Sequence, residues 1–367
     1  MIKKVALVSP YALSVPGGVQ EQVLAMSREL SRRGIAVLIV APDTADKSVY
    51  DTPAQVSRFG RLLSLPANGS KAPVTLSRRA GEQAFRAIQM FGPEVVHFHE
   101  PFAPRLGWFT LRARAFPAVG TFHRSGGGPA ITMTGPLLRR LSRTLDSVVA
   151  VSEMAAGTYA RSLVAPAKVL FNGFEIDRFG EFPKSTPPTK TLLVLGRLEE
   201  RKGVATAIEA VLLHNRTSPE PWTLRILGDG PERAALERLA RGNREIVFVG
   251  RVGDSEKRRE LRSASALIAP ALYGESFGLT LIEGLASELP VVASDIDGYR
   301  QAGGGHVTLA PAGSANAFEQ AIAQALASDS ESRRTKGVEH AANWSMKALI
   351  DAYLDVYAEA SAHFRAL

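Results

Sequence analysis

Short, continuously apolar runs alternate with stretches of helical spacing along the chain, and this rhythm constrains the fold more than any other feature. Apolar strands of this kind, interleaved with helices, are typical of a parallel sheet that is covered on both faces. The first helix is predicted at Val19–Arg33, before Gly34. The strands predicted for the first half are Lys4–Ser9, Ile35–Ala41, Val95–His99, Ala118–Phe122, Ser147–Val151 and Lys168–Phe171.

The rhythm stops at residues 181–190, EFPKSTPPTK, where three prolines and the loss of apolar periodicity indicate a linker. It then restarts, so we predict two doubly wound α/β domains, 1–180 and 191–345, and a final amphipathic helix within 346–367. The strands predicted for the second domain are Thr191–Leu195, Leu224–Leu227, Ile246–Val249, Ala266–Ala269, Pro290–Ala293 and His306–Leu309. The helices are Val204–Leu213, Glu232–Ala240, Glu256–Ser263, Leu279–Glu288 and Ala317–Ala327.

Ligands of doubly wound sheets bind outside the carboxyl ends of the strands. Two such domains that face each other would form a cleft, which is a preferred place for a ligand site. Residues that directly follow the predicted strands are therefore the candidates for function.

Composition narrows the classes of protein to be considered. The chain lacks cysteine, which excludes disulfides, thiolate nucleophiles and Cys-ligated zinc. No segment reaches the roughly 18 consecutive apolar residues of a membrane span. The apolar run after the two N-terminal lysines is too short for a signal peptide, and no A-x-A-like site follows it. We expect a cytoplasmic protein.

The excess of positive over negative charge lies in the first half of the chain. Residues 52–145 contain thirteen Lys or Arg and three Glu, a net charge of +10, whereas the whole chain carries +8. A solvated arginine-rich face explains this segment, and so does a surface that meets a membrane leaflet, a phosphorylated substrate or nucleic acid. Aromatic residues are not interleaved as nucleic-acid stacking requires, so we favour membrane or phosphate. The residues expected to face anionic lipid are Arg78, Arg79, Arg139, Arg140 and Arg143.

A charged loop, GRLEERKG, directly follows the first strand of the second domain. Arg197 and Lys202 lie in it, at the point where a parallel strand opens toward a helix. Two cations there suit a diphosphate leaving group, whose charge rises as the bond breaks. The plain alternative is a solvated charged loop.

A second candidate loop holds Glu275, followed after seven residues by Glu283. A helix is predicted to begin near Phe277, which would place the backbone N–H groups of Ser276, Phe277 and Gly278 at a helix N-terminus, ready for an anion or sugar hydroxyls. The plain alternative is an N-terminal acid followed by an exposed helical Glu.

In the first domain, Gly17 and Gly18 lie between the first strand and the first helix, where glycine lets backbone approach a phosphate, although a tight turn explains them equally.

His97 and His99 share one face of a strand by alternation. Because no convincing third ligand accompanies them, we predict no metal site. His123 follows the strand AVGTF and is either an ordinary loop histidine or a sugar ligand at a cleft.

Together these residues resemble the retaining glycosyltransferases of family 4, which have the GT-B fold of two Rossmann-like domains facing across a cleft. The resemblance covers nearly the whole chain and is strongest to the actinobacterial phosphatidyl-myo-inositol mannosyltransferases. The motifs that carry it are PGGV at 16–19, HFHEP at 97–101, TFH at 121–123, GRLEERKG at 196–203, GDGP at 228–231, and GESFGLTLIEG, which spans the two glutamates of 275 and 283.

The resemblance implies a role for each candidate on the donor side. Arg197 and Lys202 would hold the nucleotide diphosphate, helped by the backbone at Gly18. Glu275 and the amides after it would bind the donor sugar, and Glu283 would bind the ribose. The family keeps the anomeric configuration without a clear enzymic nucleophile, and the leaving phosphate is thought to help deprotonate the acceptor. The residues implied to act in catalysis are therefore His123, which would contact the sugar near its reactive carbon, Glu275, Arg197 and Lys202.

The acceptor side matches the phosphatidylinositol enzymes only in part. Those enzymes follow TFH with a threonine-rich loop ending in lysine, whereas this chain has RSGGG at 124–128. They also carry an arginine shortly after NGS, where this chain has Lys71, Ala72 and Pro73. The residues implied to bind the acceptor are Tyr11, Gln20, Asn68, Ser70 and Arg124.

The resemblance predicts a hexosyltransferase that moves mannose from GDP-mannose to phosphatidylinositol or a related lipid. It would act as a monomer, bound peripherally at the inner face of the membrane, with no obligatory cofactor and no visible site that requires Mg²⁺. The final helix would cross back to the first domain. The alternatives are a UDP-sugar donor or a soluble acceptor, a sugar-nucleotide 2-epimerase, and a catalytically silent sugar-nucleotide-binding partner.

Overall fold

The computed structural model describes residues 2–15, 17–42, 50–67, 70–103, 106–123, 138–185, 187, 189–275 and 278–366. The chain divides into two compact units, Met1–Phe174 with Met346–Leu367, and Glu175–Ser345. Each unit is built on one parallel sheet with helices. The predicted α/β class with two doubly wound domains is confirmed.

The first unit has a seven-stranded parallel sheet and a separate antiparallel hairpin. Its strands are β1 (Lys4–Val8), β2 (Ala36–Ala41), β3 (Gln55–Arg58), β4 (Leu63–Ala67), β5 (Ser70–Val74), β6 (Val95–His99), β7 (Ala118–Phe122), β8 (Ser147–Ala150) and β9 (Lys168–Val169). The order in the sheet is β3-β2-β1-β6-β7-β8-β9, and β4 pairs with β5. Its first helices are α1 (Gly18–Arg32), α2 (Arg78–Phe91), α3 (Trp108–Ala113) and α4 (Glu153–Tyr159). Residues 138–142 are also helical.

The second unit has a six-stranded parallel sheet in the order β12-β11-β10-β13-β14-β15. These strands are β10 (Thr191–Leu195), β11 (Thr223–Leu227), β12 (Ile246–Gly250), β13 (Ala266–Ala269), β14 (Val291–Ser294) and β15 (Thr308–Ala310). Its helices are α5 (Val204–Thr217), α6 (Arg233–Ala240), α7 (Asp254–Ser263), α8 (Leu279–Ala286), α9 (Asp297–Gly303), α10 (Ala315–Ala327) and α11 (Glu331–Ala342). The chain ends in α12 (Met346–Arg365).

The final helix, α12, belongs to the core of the first unit. Its residues Leu349, Ile350, Tyr353 and Tyr357 recur at helical spacing and are at most 2% exposed, in one cluster with α1 and the strands. Burial of each large apolar side chain contributes about 1.5–3 kcal/mol. A Cβ on Gly173 would lie 2.8 Å from the Leu349 side chain, so the Asn-Gly sequence before the second unit leaves room for this helix.

The two faces of the first sheet are covered by different helices, as the continuous apolar strands predict. Val5 and Leu7 point toward α1 and α12, whereas Ala6 and Val8 point toward the side covered by α2. All four residues are buried. Strand β1 is therefore apolar on both faces, as expected for an inner strand of a parallel sheet.

Several elements were not predicted. They include β3, the hairpin β4–β5, and helices α3, α4, α9 and α11. The hairpin strands, LSLPA and SKAPV, contain proline and polar residues that interrupt the apolar pattern, and α11 (ESRRTKGVEHAA) is mostly polar. Elements that bury few side chains leave a weak periodicity in the sequence.

The Pro-rich stretch predicted as the linker, 181–190, begins after the point where the units divide, between Phe174 and Glu175. Its first residues pack on α7 of the second unit. The Arg262 Nε donates to the Phe182 carbonyl at 2.9 Å, and the Ser185 N–H donates to the Arg262 carbonyl at 3.2 Å. Phe182 thus anchors this stretch.

None of the helices in the described ranges has the length and apolar character needed to cross a bilayer.

Candidate functional site

The loops that follow β10 and β11 interlock at the carboxyl edge of the second sheet. The Leu198 N–H donates to the Asp229 carbonyl at 3.1 Å, and the Glu232 N–H donates to the Leu198 carbonyl at 3.0 Å. Gly228 has φ +140°, and a Cβ there would lie 1.8 Å from the Gly196 carbonyl oxygen. Only glycine allows this approach, so the GDGP segment supports the shape of the GRLEERKG loop.

The end of the GRLEERKG loop packs against the segment that follows β13. Gly203 has φ +62°, and a Cβ there would lie 2.0 Å from the Pro270 carbonyl oxygen. The Leu272 N–H donates to the Arg201 carbonyl at 2.8 Å. This contact brings the two predicted charged loops of the second unit together, because Glu275 follows Leu272 by three residues.

Five charged side chains of these loops form one group, which we call the ion-pair cluster: Arg197, Glu199, Arg201, Lys202 and Glu275. The Glu275 Oε1 accepts from the Lys202 Nζ at 2.7 Å and from the Arg201 guanidinium at 2.8 Å. Glu199 pairs with Arg201 at 3.0 Å and with Arg197 at 3.1 Å. Three cations share two carboxylates, so the cluster carries a net positive charge.

Exposure differs within the ion-pair cluster. The Glu275 side chain is 14% exposed and the Lys202 side chain 21%, whereas the Arg197 side chain is 56% exposed. Charges at this depth attract each other more strongly than surface pairs, because water screens them less. Arg197, Lys202 and Glu275 were predicted; Arg201 and Glu199 were missed, although the charges of RLEERK were the signal that could have identified them.

Glu283 lies on α8, outside the ion-pair cluster, and is paired with a different cation. Its Oε1 accepts from the Lys257 Nζ at 2.7 Å. The helix begins at Leu279, the first residue of its predicted range and two residues after Phe277, because Gly278 has φ +84° and is not helical. A Cβ on Gly278 would lie 2.7 Å from the Tyr299 ring, and burial raises the pKa of that tyrosine. Ser276 and Phe277 lie outside the described residues.

The first unit carries three stacked imidazoles, two on β6 and one directly after β7, which we call the imidazole row: His97, His99 and His123. The ring centroids of His97 and His99 are 4.4 Å apart, and those of His99 and His123 are 5.1 Å apart. The alternation that places His97 and His99 on one strand face is confirmed. The His99 Nδ1 lies 2.9 Å from the His123 Nε2, within hydrogen-bond distance.

Burial holds the imidazole row neutral. It lowers the pKa of His97 to about 3 and that of His123 to about 4. It also lowers the pKa of His99 well below its ordinary value, with smaller contributions from the neighbouring His97 and His123. Desolvation disfavours a charged imidazole, so each ring carries one proton near neutral pH.

The inner end of the imidazole row is tied to α12. The His97 Nδ1 lies 2.8 Å from the Tyr357 hydroxyl, and its Nε2 lies 2.7 Å from the Thr121 hydroxyl. The Thr121 hydroxyl in turn lies 2.8 Å from that of Tyr353. His97 is therefore a hydrogen-bonded core residue, and within the described ranges no group of three or more His, Cys, Asp or Glu could hold a metal ion.

Glu100 fixes the backbone at His123. Its Oε1 accepts from the His123 N–H at 2.6 Å, and its Oε2 accepts from the Tyr159 hydroxyl at 3.1 Å. Glu100 has φ +48°, a left-handed conformation that costs free energy in a residue with a Cβ. The HFHEP motif was predicted as a unit, but the positioning role of its glutamate was not.

The loop between β1 and α1 is shaped by Gln20. Its Nε2 donates to the Val15 carbonyl at 2.9 Å and to the Ala12 carbonyl at 3.3 Å, and the side chain is buried. Gly18 begins α1, and a Cβ there would meet no described atom within 4 Å. The structure thus gives Gln20, which was predicted as an acceptor ligand, the role of shaping this loop.

The predicted acceptor residues are only partly placed by the structure. Tyr11 lies in the β1–α1 loop, where its N–H donates to the Ser9 hydroxyl at 3.3 Å. The hairpin β4–β5 is joined to this loop by the Ala12 N–H, which donates to the Pro73 carbonyl at 3.0 Å. Ser70 begins β5. Asn68 and Arg124 lie outside the described residues.

The predicted membrane arginines lie on exposed surface. Arg78 and Arg79 begin α2; Arg78 pairs with Glu82 at 3.1 Å and lies 5.9 Å above the Phe109 ring. Arg139, Arg140 and Arg143 are exposed around the helical residues 138–142. A cavity of about 480 Å³ lies beside them and is lined by Trp108, Arg112, Leu138, Arg140, Leu141 and Thr144.

Comparison with known families agrees with this arrangement. The profile of "Glycosyltransferase Family 4" matches residues 16–178, and that of "Glycosyl transferases group 1" matches residues 189–328. A phosphatidyl-myo-inositol mannosyltransferase of Mycobacterium leprae is 33% identical over 333 residues, covering 89% of this chain and 88% of that protein. The chain belongs to glycosyltransferase family 4. The protein of the same description from Mycolicibacterium smegmatis is 32% identical and covers 89% and 85% of the two chains.

Solved structures confirm the GT-B fold of this family 4 glycosyltransferase. A Rickettsia africae glycosyltransferase superposes with a TM-score of 0.74 at 17% identity, covering 98% of both chains. Sucrose-phosphate synthase of Thermosynechococcus elongatus gives 0.72 at 18% identity, covering 97% of this chain and 98% of that one. At such identities the likeness shows the fold alone.

Proposed function

We propose that this glycosyltransferase moves mannose from GDP-mannose to phosphatidylinositol, or to a related lipid, at the inner face of the membrane. The observation that supports the donor most directly is the ion-pair cluster, which gathers three cations at the carboxyl edge of the second sheet. Relatives that cover most of the chain are phosphatidyl-myo-inositol mannosyltransferases, and this supports the sugar and the acceptor.

The cations of the ion-pair cluster suit a leaving diphosphate. Negative charge accumulates on the diphosphate as the glycosidic bond to the sugar breaks, so cations held beside it stabilise the transition state more than the ground state. Lys202 and Arg201 are held by the Glu275 carboxylate and would exchange part of that interaction for phosphate oxygens. Arg197, the most exposed cation, would reach the same group.

Glu275 then acts on the sugar. A carboxylate that is held by two cations is fixed in place and still has lone pairs for the sugar hydroxyls. Glu283 would bind the ribose and is held by Lys257. In the first unit, His123 would contact the sugar near the reactive carbon; because it is neutral, it would donate or accept a hydrogen bond without adding charge.

The acceptor would bind to the β1–α1 loop and the hairpin β4–β5, which are joined through Ala12 and Pro73. Tyr11 lies in that loop, Gln20 lies in the first turn of α1, and Ser70 begins β5. The exposed arginines of α2 and of residues 138–143 would hold the protein at an anionic leaflet, and the cavity between Trp108 and Arg140 offers apolar and cationic walls for a lipid.

A transfer assay tests the proposal. The purified chain is incubated with radiolabelled GDP-mannose or UDP-glucose and with phosphatidylinositol vesicles, phosphatidylcholine vesicles or free myo-inositol. We expect label in the lipid fraction from GDP-mannose and phosphatidylinositol only, and a strongly reduced rate with Lys202→Ala. Transfer from UDP-glucose, or transfer to free inositol alone, would replace the donor or the acceptor in this proposal, and no transfer from any pair would support a silent binding protein.

A further inference from the structure

The hydrogen bond between His99 and His123 engages only one of the two ring nitrogens of His99. The His99 Nδ1 lies 2.9 Å from the His123 Nε2. The His99 Nε2 is buried and, among the residues that the structure describes, has no hydrogen-bond partner. Since His99 is neutral, one of its two nitrogens carries a proton and the other carries a lone pair, and the surroundings determine which.

Two arrangements of protons satisfy the bond, and they differ in what remains buried. If His123 donates from Nε2, His99 must carry its own proton on Nε2, which leaves an N–H donor buried without an acceptor. If His99 donates from Nδ1, only a lone pair remains at its Nε2. Orphaned buried N–H groups are rarer in proteins than under-satisfied acceptors, because their desolvation is not repaid.

We infer that His99 is a positioning residue that fixes the tautomer of His123, with the proton on Nδ1. His99 Nδ1–H donates to the His123 Nε2, so the exchangeable proton of the His123 ring resides on Nδ1. His123 then meets its ligand as a neutral hydrogen-bond donor at Nδ1 and has no free lone pair with which to act as a base. An imidazole in water carries its proton mainly on Nε2, so this tautomer is imposed by the fold.

The same contacts make the ring orientation rigid. His99 stacks on His97, whose two nitrogens are both engaged, at Tyr357 and at Thr121. Glu100 holds the backbone N–H of His123 at 2.6 Å. His123 is thereby fixed at its backbone, at its Nε2 and, through His99, against α12. The structural part of this inference stands on these contacts, and its consequence for turnover rests on the proposed function.

Nitrogen NMR reads the tautomer directly. The full chain is labelled with ¹⁵N-histidine, and long-range ¹H–¹⁵N spectra are recorded at pH 7; His123→Gln and His99→Asn assign the two rings among the seven histidines. We expect the proton of His123 on Nδ1 and that of His99 also on Nδ1. A proton on Nε2 of His123 in the unsubstituted chain overturns the inference, whether or not any variant folds.

Two variants separate positioning from packing. His99→Leu removes the donor, so the His123 proton should move to Nε2. His99→Asn retains an N–H near the place of Nδ1 and should keep the proton on Nδ1. We expect kcat to fall by about 10- to 100-fold in His99→Leu, with the donor KM nearly unchanged, and to recover in His99→Asn. An unchanged tautomer in folded His99→Leu contradicts the inference, whereas absence of transfer in every protein contradicts only the proposed function.

Discussion

The two units place opposite kinds of chemistry at the same position of the same architecture. At the strand ends of the first unit, the imidazole row is buried and neutral, and its properties depend on which nitrogen carries a proton. At the strand ends of the second unit, the ion-pair cluster is partly exposed and charged, and its properties depend on which anionic groups its cations pair with. Parallel sheets thus provide the place for a site, while burial decides whether its groups are charged.

The largest expected effect is on the charged side of this comparison. Lys202→Ala and Arg197→Ala should each lower the transfer rate by about 100-fold or more, because each removes a cation from the developing charge of the diphosphate. The rate is measured with labelled GDP-mannose and lipid. Lys190→Ala removes an exposed lysine of the same unit and should leave the rate unchanged. Equal rates in Lys202→Ala and Lys190→Ala would show that the ion-pair cluster is not the diphosphate site.

The neutral side is tested by removal of one hydroxyl from the core. Tyr357→Phe leaves the buried His97 Nδ1 without its partner, so the free energy of unfolding of the first unit should fall by about 1–3 kcal/mol. Hydrogen exchange of the β6 amides measures it separately from the second unit. Ser361→Ala is the matched control, because this buried hydroxyl of α12 has no hydrogen-bond partner within the described part of the chain. Equal losses in both variants would mean that the bond contributes nothing.

The imidazole row also predicts a pH dependence. A histidine in the unfolded chain titrates near pH 6.5, whereas burial lowers the pKa of His123 to about 4 and of His97 to about 3. Below about pH 6.5 the unfolded chain binds protons that the folded unit does not, so stability falls as pH falls, by up to ~1.4 kcal/mol per pH unit for each imidazole. Exchange of β6 amides at pH 7 and pH 5 shows this, and His97→Gln should make the dependence shallower. If stability depends on pH equally steeply in that variant, His97 is not a cause of the pH dependence.

The smallest effect concerns the exposed arginines. Replacement of Arg78 and Arg79 by Ser should weaken binding to phosphatidylglycerol vesicles by about tenfold, since each cation near the surface contributes about 1 kcal/mol at most. Co-sedimentation at low and high salt measures this affinity. Arg238→Ser with Arg244→Ser removes the same charge from exposed positions of the second unit and should have no effect. Equal affinity for phosphatidylcholine vesicles would refute membrane attraction through charge.

The sheets were predictable because their strands are apolar on both faces. β1, β6, β7, β10 and β13 each lie within a residue of the predicted bounds. The hairpin β4–β5 was not predictable, because proline and polar residues interrupt the apolar pattern of its strands. The return of α12 to the first unit came from the family resemblance, since amphipathicity shows that a helix is covered but not by what.

The site was predictable as a list of residues and less so as a set of contacts. The strand-end position of Arg197, Lys202, Glu275 and His123 follows from the sequence rhythm. The pairing of Lys202 with Glu275 depends on the close approach of Gly203 to Pro270, which joins segments about 70 residues apart and leaves no local pattern. The hydrogen bond from His99 to His123 likewise joins two strands.

The central claim is that the cations of the ion-pair cluster hold the diphosphate while Glu275 serves the sugar. Glu275→Gln separates these roles, because it keeps the shape of the side chain and removes the charge that Lys202 and Arg201 now share. Calorimetric titration with GDP, compared with the transfer rate of the same protein, is the direct measurement. We predict GDP affinity equal to or tighter than that of the unsubstituted chain, with transfer reduced by at least about tenfold. Loss of GDP binding with Glu275→Gln, or undiminished transfer, would contradict the claim.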